Sequence, residues 1–196
     1  MHLQQGRPQR TSPQRDIDSH DLVLDAVAVS CGPGSYTGLR IGTSMAKGIC
    51  YGRDVRLIAI PTLELLAVPV LLQELPKAED ALLVPMLDAR RMEVYAQVFD
   101  RALNEIRPVQ ADIVTADTYR DQLDKGPVYF FGNGAAKCMS TINHANAHLV
   151  EGILPLAKNM FPLAEKRIAQ GKYEDVAYFV PFYLKDFVAK TPKKLL

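Results

Sequence analysis

Gly32-Pro33-Gly34-Ser35-Tyr36-Thr37-Gly38-Leu39-Arg40-Ile41-Gly42 is the stretch that decides how this chain is read. It is a glycine-rich turn that opens a helix. Such a turn points free N–H groups outward, where phosphate can sit. Three known patterns can be laid on it. A P-loop needs G-x-x-x-x-G-K-[ST], and no lysine follows Gly38. The dinucleotide fingerprint needs G-x-G-x-x-G; here the third glycine comes late, and Asp54 precedes the second strand instead of ending it. A nucleophile elbow, G-x-S-x-G, is half matched by Gly42-Thr43-Ser44-Met45-Ala46, but that run lies inside the helix, where no sharp turn presents the serine.

The helix carries a different message. Gly38, Gly42 and Ala46 recur every fourth residue and line one stripe. Each interior glycine costs about 1 kcal/mol of helix stability relative to alanine. Close approach of another backbone is the usual compensation. The approaching helix belongs either to this chain or to another subunit, and the spacing leaves both open.

Upstream, V-L-D-A-V-A-V-S is short, β-branched and apolar on both faces, as in a buried parallel strand. Downstream, Gly52 is the expected helix C-cap, and V-R-L-I-A-I is a second strand stopped by Pro61. A leucine-rich helix from Thr62 to about Leu75 follows, interrupted at Pro69. Pro76 to Asp80 is the expected boundary. Beyond it, A-L-L-V-P-M-L-D and E-V-Y-A-Q-V-F form a hairpin, and a third strand starts at Ile106. Asp117 to Leu123 reads as a short helix and V-Y-F-F as a strand. G-N-G-A-A reads as a second glycine turn into a helix, and Pro155 to Gln170 as an amphipathic helix closed by Gly171. Mixed elements in this order predict an α/β layered fold.

The composition sets limits. Of 196 residues, 48% are hydrophobic and 23% charged, enough apolar material for a packed core. The net charge of +1 gives no general attraction to nucleic acid or anionic lipid. No apolar run is long enough for a membrane span, and the N-terminus has no secretory h-region. Cys31, Cys50 and Cys138 are widely spaced, so a zinc ribbon or C-x-x-C redox site is excluded; they read as small core residues in a reducing compartment. Residues 1–20 begin with a proline- and arginine-rich run to Arg15 and read as a disordered basic tail.

Five motifs in order resemble one family. Ser30 to Gly48, S-C-G-P-G-S-Y-T-G-L-R-I-G-T-S-M-A-K-G, is similar to the signature of TsaB-type (YeaZ-type) proteins. Ile60-Pro61-Thr62-Leu63-Glu64 resembles that family's T-L-E step. Asp88-Ala89-Arg90-Arg91-Met92-Glu93-Val94-Tyr95 resembles its D-A-R-x-x-E-V-Y hairpin. Gly132-Asn133-Gly134-Ala135 and Pro181-Phe182-Tyr183-Leu184-Lys185 complete the set. The resemblance implies an actin/Hsp70-like (ASKHA) two-lobed α/β fold, with an incomplete first lobe over residues 21–76 and a second lobe over 77–196. The family's usual opening strand, hairpin and long helix have no counterpart before Leu22, so the first lobe is expected to expose sheet edges and apolar surface and the chain to be less soluble than a complete homologue.

The same resemblance implies a role. Such a protein is a non-catalytic scaffold that pairs with a TsaD-type catalytic subunit. That subunit transfers threonylcarbamoyl to an adenosine beside the tRNA anticodon. A TsaE-type ATPase joins the pair, and tRNA is met indirectly. The contact is implied to lie on the helix and its preceding turn, at Gly34, Ser35, Thr37, Gly38, Arg40, Ile41, Gly42, Met45, Ala46 and Ile49. The expectation is a cytoplasmic protein with no membrane attachment, no metal and no cofactor of its own, ATP entering at the level of the complex. Two other classes stand beside it: a homodimer through the same helix, and an ATPase or peptidase-like enzyme. No Ser–His–Asp set can be assembled for the latter. His144-x-x-x-His148 has metal-ligand spacing if helical, but its polar surroundings read as a loop. Asp88, Arg90, Arg91 and Glu93 read as a charged, solvated turn before they read as an acid/base pair with an anion clamp.

Overall fold

Successive strand residues point to opposite faces. The computed structural model of the protein, which describes residues 23–75 and 78–185, shows what each face meets. β1 (Ala26–Gly32) and β2 (Arg56–Pro61) pair in parallel, joined through α1 (Tyr36–Arg53). Val29 and Leu57 pack under α1 with its Ala46 and Cys50. Ala28, Ile58 and Ile60 face the other way, onto α2 (Thr62–Leu72). Both faces of the pair are covered, as its uninterrupted apolar run predicts.

A helix that is apolar all round is expected to be covered on more than one side, and α2 is covered on two, with Leu72 exposed at its end. Its Leu65 and Val68 pack on the first sheet, while Leu63, Leu66, Ala67 and Val70 pack on a second. Pro69 lies inside α2 without ending it, and the helix stops at Leu72, short of the expected Leu75. The second sheet comprises β3 (Leu82–Asp88), β4 (Glu93–Phe99), β5 (Glu105–Ile113), β6 (Val128–Phe131) and β7 (Ala147–Val150), in the order β5-β4-β3-β6-β7. β4 runs antiparallel to both β3 and β5; β6 and β7 continue the sheet from β3 in parallel. Leu83 and Leu87 meet α2, and Val84 and Met86 meet a separate core with Tyr119, Phe130 and Cys138.

Several local expectations change. α1 runs to Arg53, and its C-cap is Asp54 at φ 52, so Gly52 is an ordinary helical residue. An aspartate tolerates the left-handed cap better than most side chains do. The G-N-G-A-A turn opens only a 3-10 turn, Ala136–Cys138, not a helix. The helix expected from Asp117 shortens to α3 (Arg120–Leu123). Part of the loop expected around His144 and His148 is β7, because Ala147–Val150 completes the ladder beside β6. The helix expected from Pro155 begins as a 3-10 turn at Ala157–Met160 and becomes α4 (Phe161–Ala169), with Gly171 at φ +64 beyond its end. The expectations placed on residues 1–20 and on Pro76 and Lys77 lie outside the described residues.

Candidate functional site

α1 starts where the glycine turn ends. Ser35 is its N-cap, and the Ser35 hydroxyl accepts from the Gly38 N–H at 3.3 Å. The helix then divides into two faces. Leu39, Thr43, Ala46 and Cys50 are buried, Ala46 and Cys50 against Val29 of β1 and Leu57 of β2. Ile41, Met45 and Tyr51 stand on the outside, with 57%, 45% and 87% of their surface exposed. Thr37, Gly38, Ser44 and Gly48 are exposed among them, and Arg40 is exposed with its guanidinium 5.5 Å from the Tyr36 ring centroid.

This partition corrects the small-residue stripe. Ala46 is 5% exposed and packs in the chain's own core. A Cβ on Gly42 would meet Val29 Cγ2 at 3.9 Å, so what approaches this side is strand β1, not a helix. Gly42 and Ile49 are half-buried. The predicted contact residues therefore separate. Gly34, Ser35, Thr37, Gly38, Arg40, Ile41 and Met45 are open to solvent; Ala46 is not.

A C-terminal strap runs alongside α1. Lys47 Nζ donates to the carbonyls of Ala177 at 3.0 Å and Phe179 at 3.1 Å. The Phe182 N–H donates to the Cys31 carbonyl at 2.8 Å. Val176 and Phe179 pack inward on the α1 core, while Tyr178 and Val180 point out, 84% and 72% exposed. Sequence reading did not place the strap beside α1. Its signal was the aromatic run A-Y-F-V-P-F-Y-L, which is apolar yet has no period that assigns a face.

The turn before α1 also forms one wall of a cleft of about 650 Å³, with Ser35 and Thr37 facing Asp88, Arg90 and Asn133, and Tyr183 and Lys185 beside them. The acids of this hairpin turn are paired: Asp88 with Lys137, and Glu93 with Lys185. Lys137 holds Asp88 below its ordinary pKa. A carboxyl kept ionised in this way cannot serve as a general acid near neutral pH.

A family model described as "TsaD: tRNA N6-adenosine threonylcarbamoyltransferase" matches residues 16–193. The chain is 30% identical over 181 residues to the tRNA threonylcarbamoyladenosine biosynthesis protein TsaB of Escherichia coli (strain K12), covering 87% of this chain and 76% of that protein. It is 30% identical over 206 residues to the protein of the same name from Haemophilus influenzae (strain ATCC 51907 / DSM 11121 / KW20 / Rd), covering 95% and 84%. This chain belongs to the TsaB (YeaZ) family. The TsaB of Bacillus subtilis (strain 168) is 29% identical over 191 residues, covering 94% of this chain and 80% of that one. Among solved structures, YeaZ from Pseudomonas aeruginosa superposes with a TM-score of 0.72 at 23% identity, covering 87% of this chain and 80% of that chain. The fold is the actin/Hsp70-like α/β class.

The remaining candidates in this TsaB-family chain are structural. His144 accepts from the Asn146 N–H at 3.1 Å and lies 3.4 Å from Asp124, while His148 stacks on Tyr129 with centroids 4.9 Å apart. They do not share a helix face, and no group of metal-ligating side chains forms among the described residues. Cys50 and Cys138 are buried; burial pushes the Cys31 thiol up to about 11, against the pull of Arg167. A thiol so raised is protonated at neutral pH and is a poor nucleophile. Among the described residues no helix is long and apolar enough to cross a membrane.

Proposed function

We propose that this chain works in tRNA threonylcarbamoyladenosine biosynthesis as a scaffold subunit that docks a TsaD-type catalytic subunit on the outer face of α1. The relatives that bear the TsaB name support the pathway. One observation carries the docking: Ile41, Met45 and Tyr51 are exposed along one side of an 18-residue helix whose other side is core. A row of large apolar side chains on a rigid element is hydrated at a free-energy cost until another surface covers it. In this reading the partner performs the transfer to adenosine, a TsaE-type ATPase joins for turnover, and tRNA is held chiefly by the partner. The work takes place in the cytoplasm, and ATP enters only with the assembled complex.

Co-expression with the cognate catalytic subunit tests the pairing. The chain is expected to co-purify with it, and Ile41→Asp and Met45→Asp are expected to abolish the complex while the variants stay folded. Unchanged co-purification of both would sink the assignment of this face. Appreciable ATP hydrolysis by the purified chain would favour an enzyme instead.

A further inference from the structure

The cleft between the turn before α1 and the β3–β4 hairpin is lined by the charged side chains Asp88, Arg90, Glu93 and Lys185. Both acids are already matched: Asp88 pairs with Lys137, and Glu93 with Lys185. Lys137 Nζ also donates to the carbonyls of Arg91 at 2.6 Å and Glu93 at 2.8 Å, which fixes the turn that carries the arginines. Arg90 and Arg91 are left over. Both are exposed, and neither guanidinium has a partner among the described residues. Arg40 donates to the Tyr36 hydroxyl at 3.1 Å and likewise has no carboxylate partner among them. The acids and lysines cancel, so the three arginines are a local positive surplus on a chain whose net charge is +1.

The same cleft mouth is aromatic. The rings of Tyr36 and Tyr183 line it with centroids 5.0 Å apart, and 36% of Tyr183 is exposed. A lone small anion gains little from such exposed guanidiniums, because water and salt screen them. A polyanion that meets several at once releases a counterion at each. An acidic protein segment would use the arginines and leave the tyrosine face idle. A single-stranded nucleic acid uses both, with phosphates on guanidiniums and an unstacked base on an aromatic ring.

We infer that this cleft mouth makes a direct contact with single-stranded RNA, such as a loop or end of the tRNA. Arg90 and Arg91 take phosphates, and Tyr183 offers its ring to a base. The inference rests on the tRNA pathway proposed above, not on where the catalytic subunit docks. A net charge of +1 excludes a grip by the whole surface, but not one by a patch whose acids are already paired.

Binding of a fluorescent tRNA transcript to the full chain, alone and with the cognate catalytic subunit, tests it. Arg90→Gln combined with Arg91→Gln is expected to weaken binding at least about tenfold at about 0.1 M salt, and to flatten the slope of log K against log salt by about 1.5, since two phosphate contacts are lost. Tyr183→Leu is expected to weaken binding about fivefold with the slope unchanged, and Tyr183→Phe to match the parent. Parent-like affinity of the arginine variant, or of Tyr183→Leu, would overturn the inference. So would arginine-dependent binding of polyglutamate as tight as that of tRNA, which would make the patch a site for acidic protein. Should the catalytic subunit fail to associate, the docking reading falls, and the chain alone still decides: no arginine-dependent tRNA binding there overturns this inference too.

Discussion

A Cβ placed on Gly32 would lie 2.3 Å from the carbonyl oxygen of Phe182. The end of β1 and the strap are in backbone contact there, held by the bond from the Phe182 N–H to the Cys31 carbonyl. Gly32 also has φ +113, a region closed to other residues. Gly32→Ala is therefore expected to cost about 2 kcal/mol or more and to loosen the strap. Denaturant unfolding gives the first quantity, and amide exchange at Phe182 the second. Parent-like protection at Phe182 would show that the contact is dispensable.

Arg167 on α4 donates to Glu64 on α2 at 2.9 Å, with only 18% and 13% of the two side chains exposed. Removing one partner leaves the other charge in a poorly hydrated place. Glu64→Ala is expected to destabilise by about 1–3 kcal/mol. Glu64→Ala with Arg167→Met is expected to recover part of that, because no lone charge remains. A urea-based double-mutant cycle reads both; strictly additive losses would mean the pair is not coupled.

Ile41 and Ala46 face opposite ways on α1. Ala46→Asp buries a carboxylate among Val29, Cys50 and Leu57 and is expected to cost about 4 kcal/mol. Ile41→Asp is expected to stay within about 0.5 kcal/mol of the parent. Thermal melts distinguish them, and equal losses would contradict the two-faced helix.

The Asp88–Lys137 pair has an acid signature. Its folded carboxyl lies below the ordinary value of 3.8. Its contribution is thus complete above that value and is lost as pH falls through the lower folded one. The stability gap between the parent and Asp88→Asn is expected to be small, since both groups meet water, and to close on acidification. Chemical denaturation from neutral pH to about pH 2 measures it; a gap independent of pH would exclude the pair as its source.

Strand and helix identities around the glycine turn were legible because their signals are local. V-A-V-S and L-I-A-I have no polar face, and L-E-L-L-A-V has none either, so each had to be covered on more than one side. The turn residues and T-L-E step likewise carried the family resemblance without any coordinates. Less legible were the ends of elements and short pieces: Asp54 as cap, the 3-10 turn after Gly134, and β7 around His148. Each depends on a partner distant in sequence, such as the β6 ladder that makes Ala147–Val150 a strand.

The candidate site shows the same division. From sequence alone came the glycine-rich turn, the α/β class and the helix that follows, since periodicity and backbone sterics are properties of neighbouring residues. Periodicity placed Gly38, Gly42 and Ala46 on one stripe, but it could not say which way that stripe points. The tertiary structure decided that: β1 and β2 take the Ala46 side, leaving Ile41, Met45 and Tyr51 outside. It also brought residues 175–180 beside α1 through Lys47, a contact spanning about 130 positions. A helix has several faces that could be buried, and only the rest of the chain, by covering some of them, decides which one stays exposed.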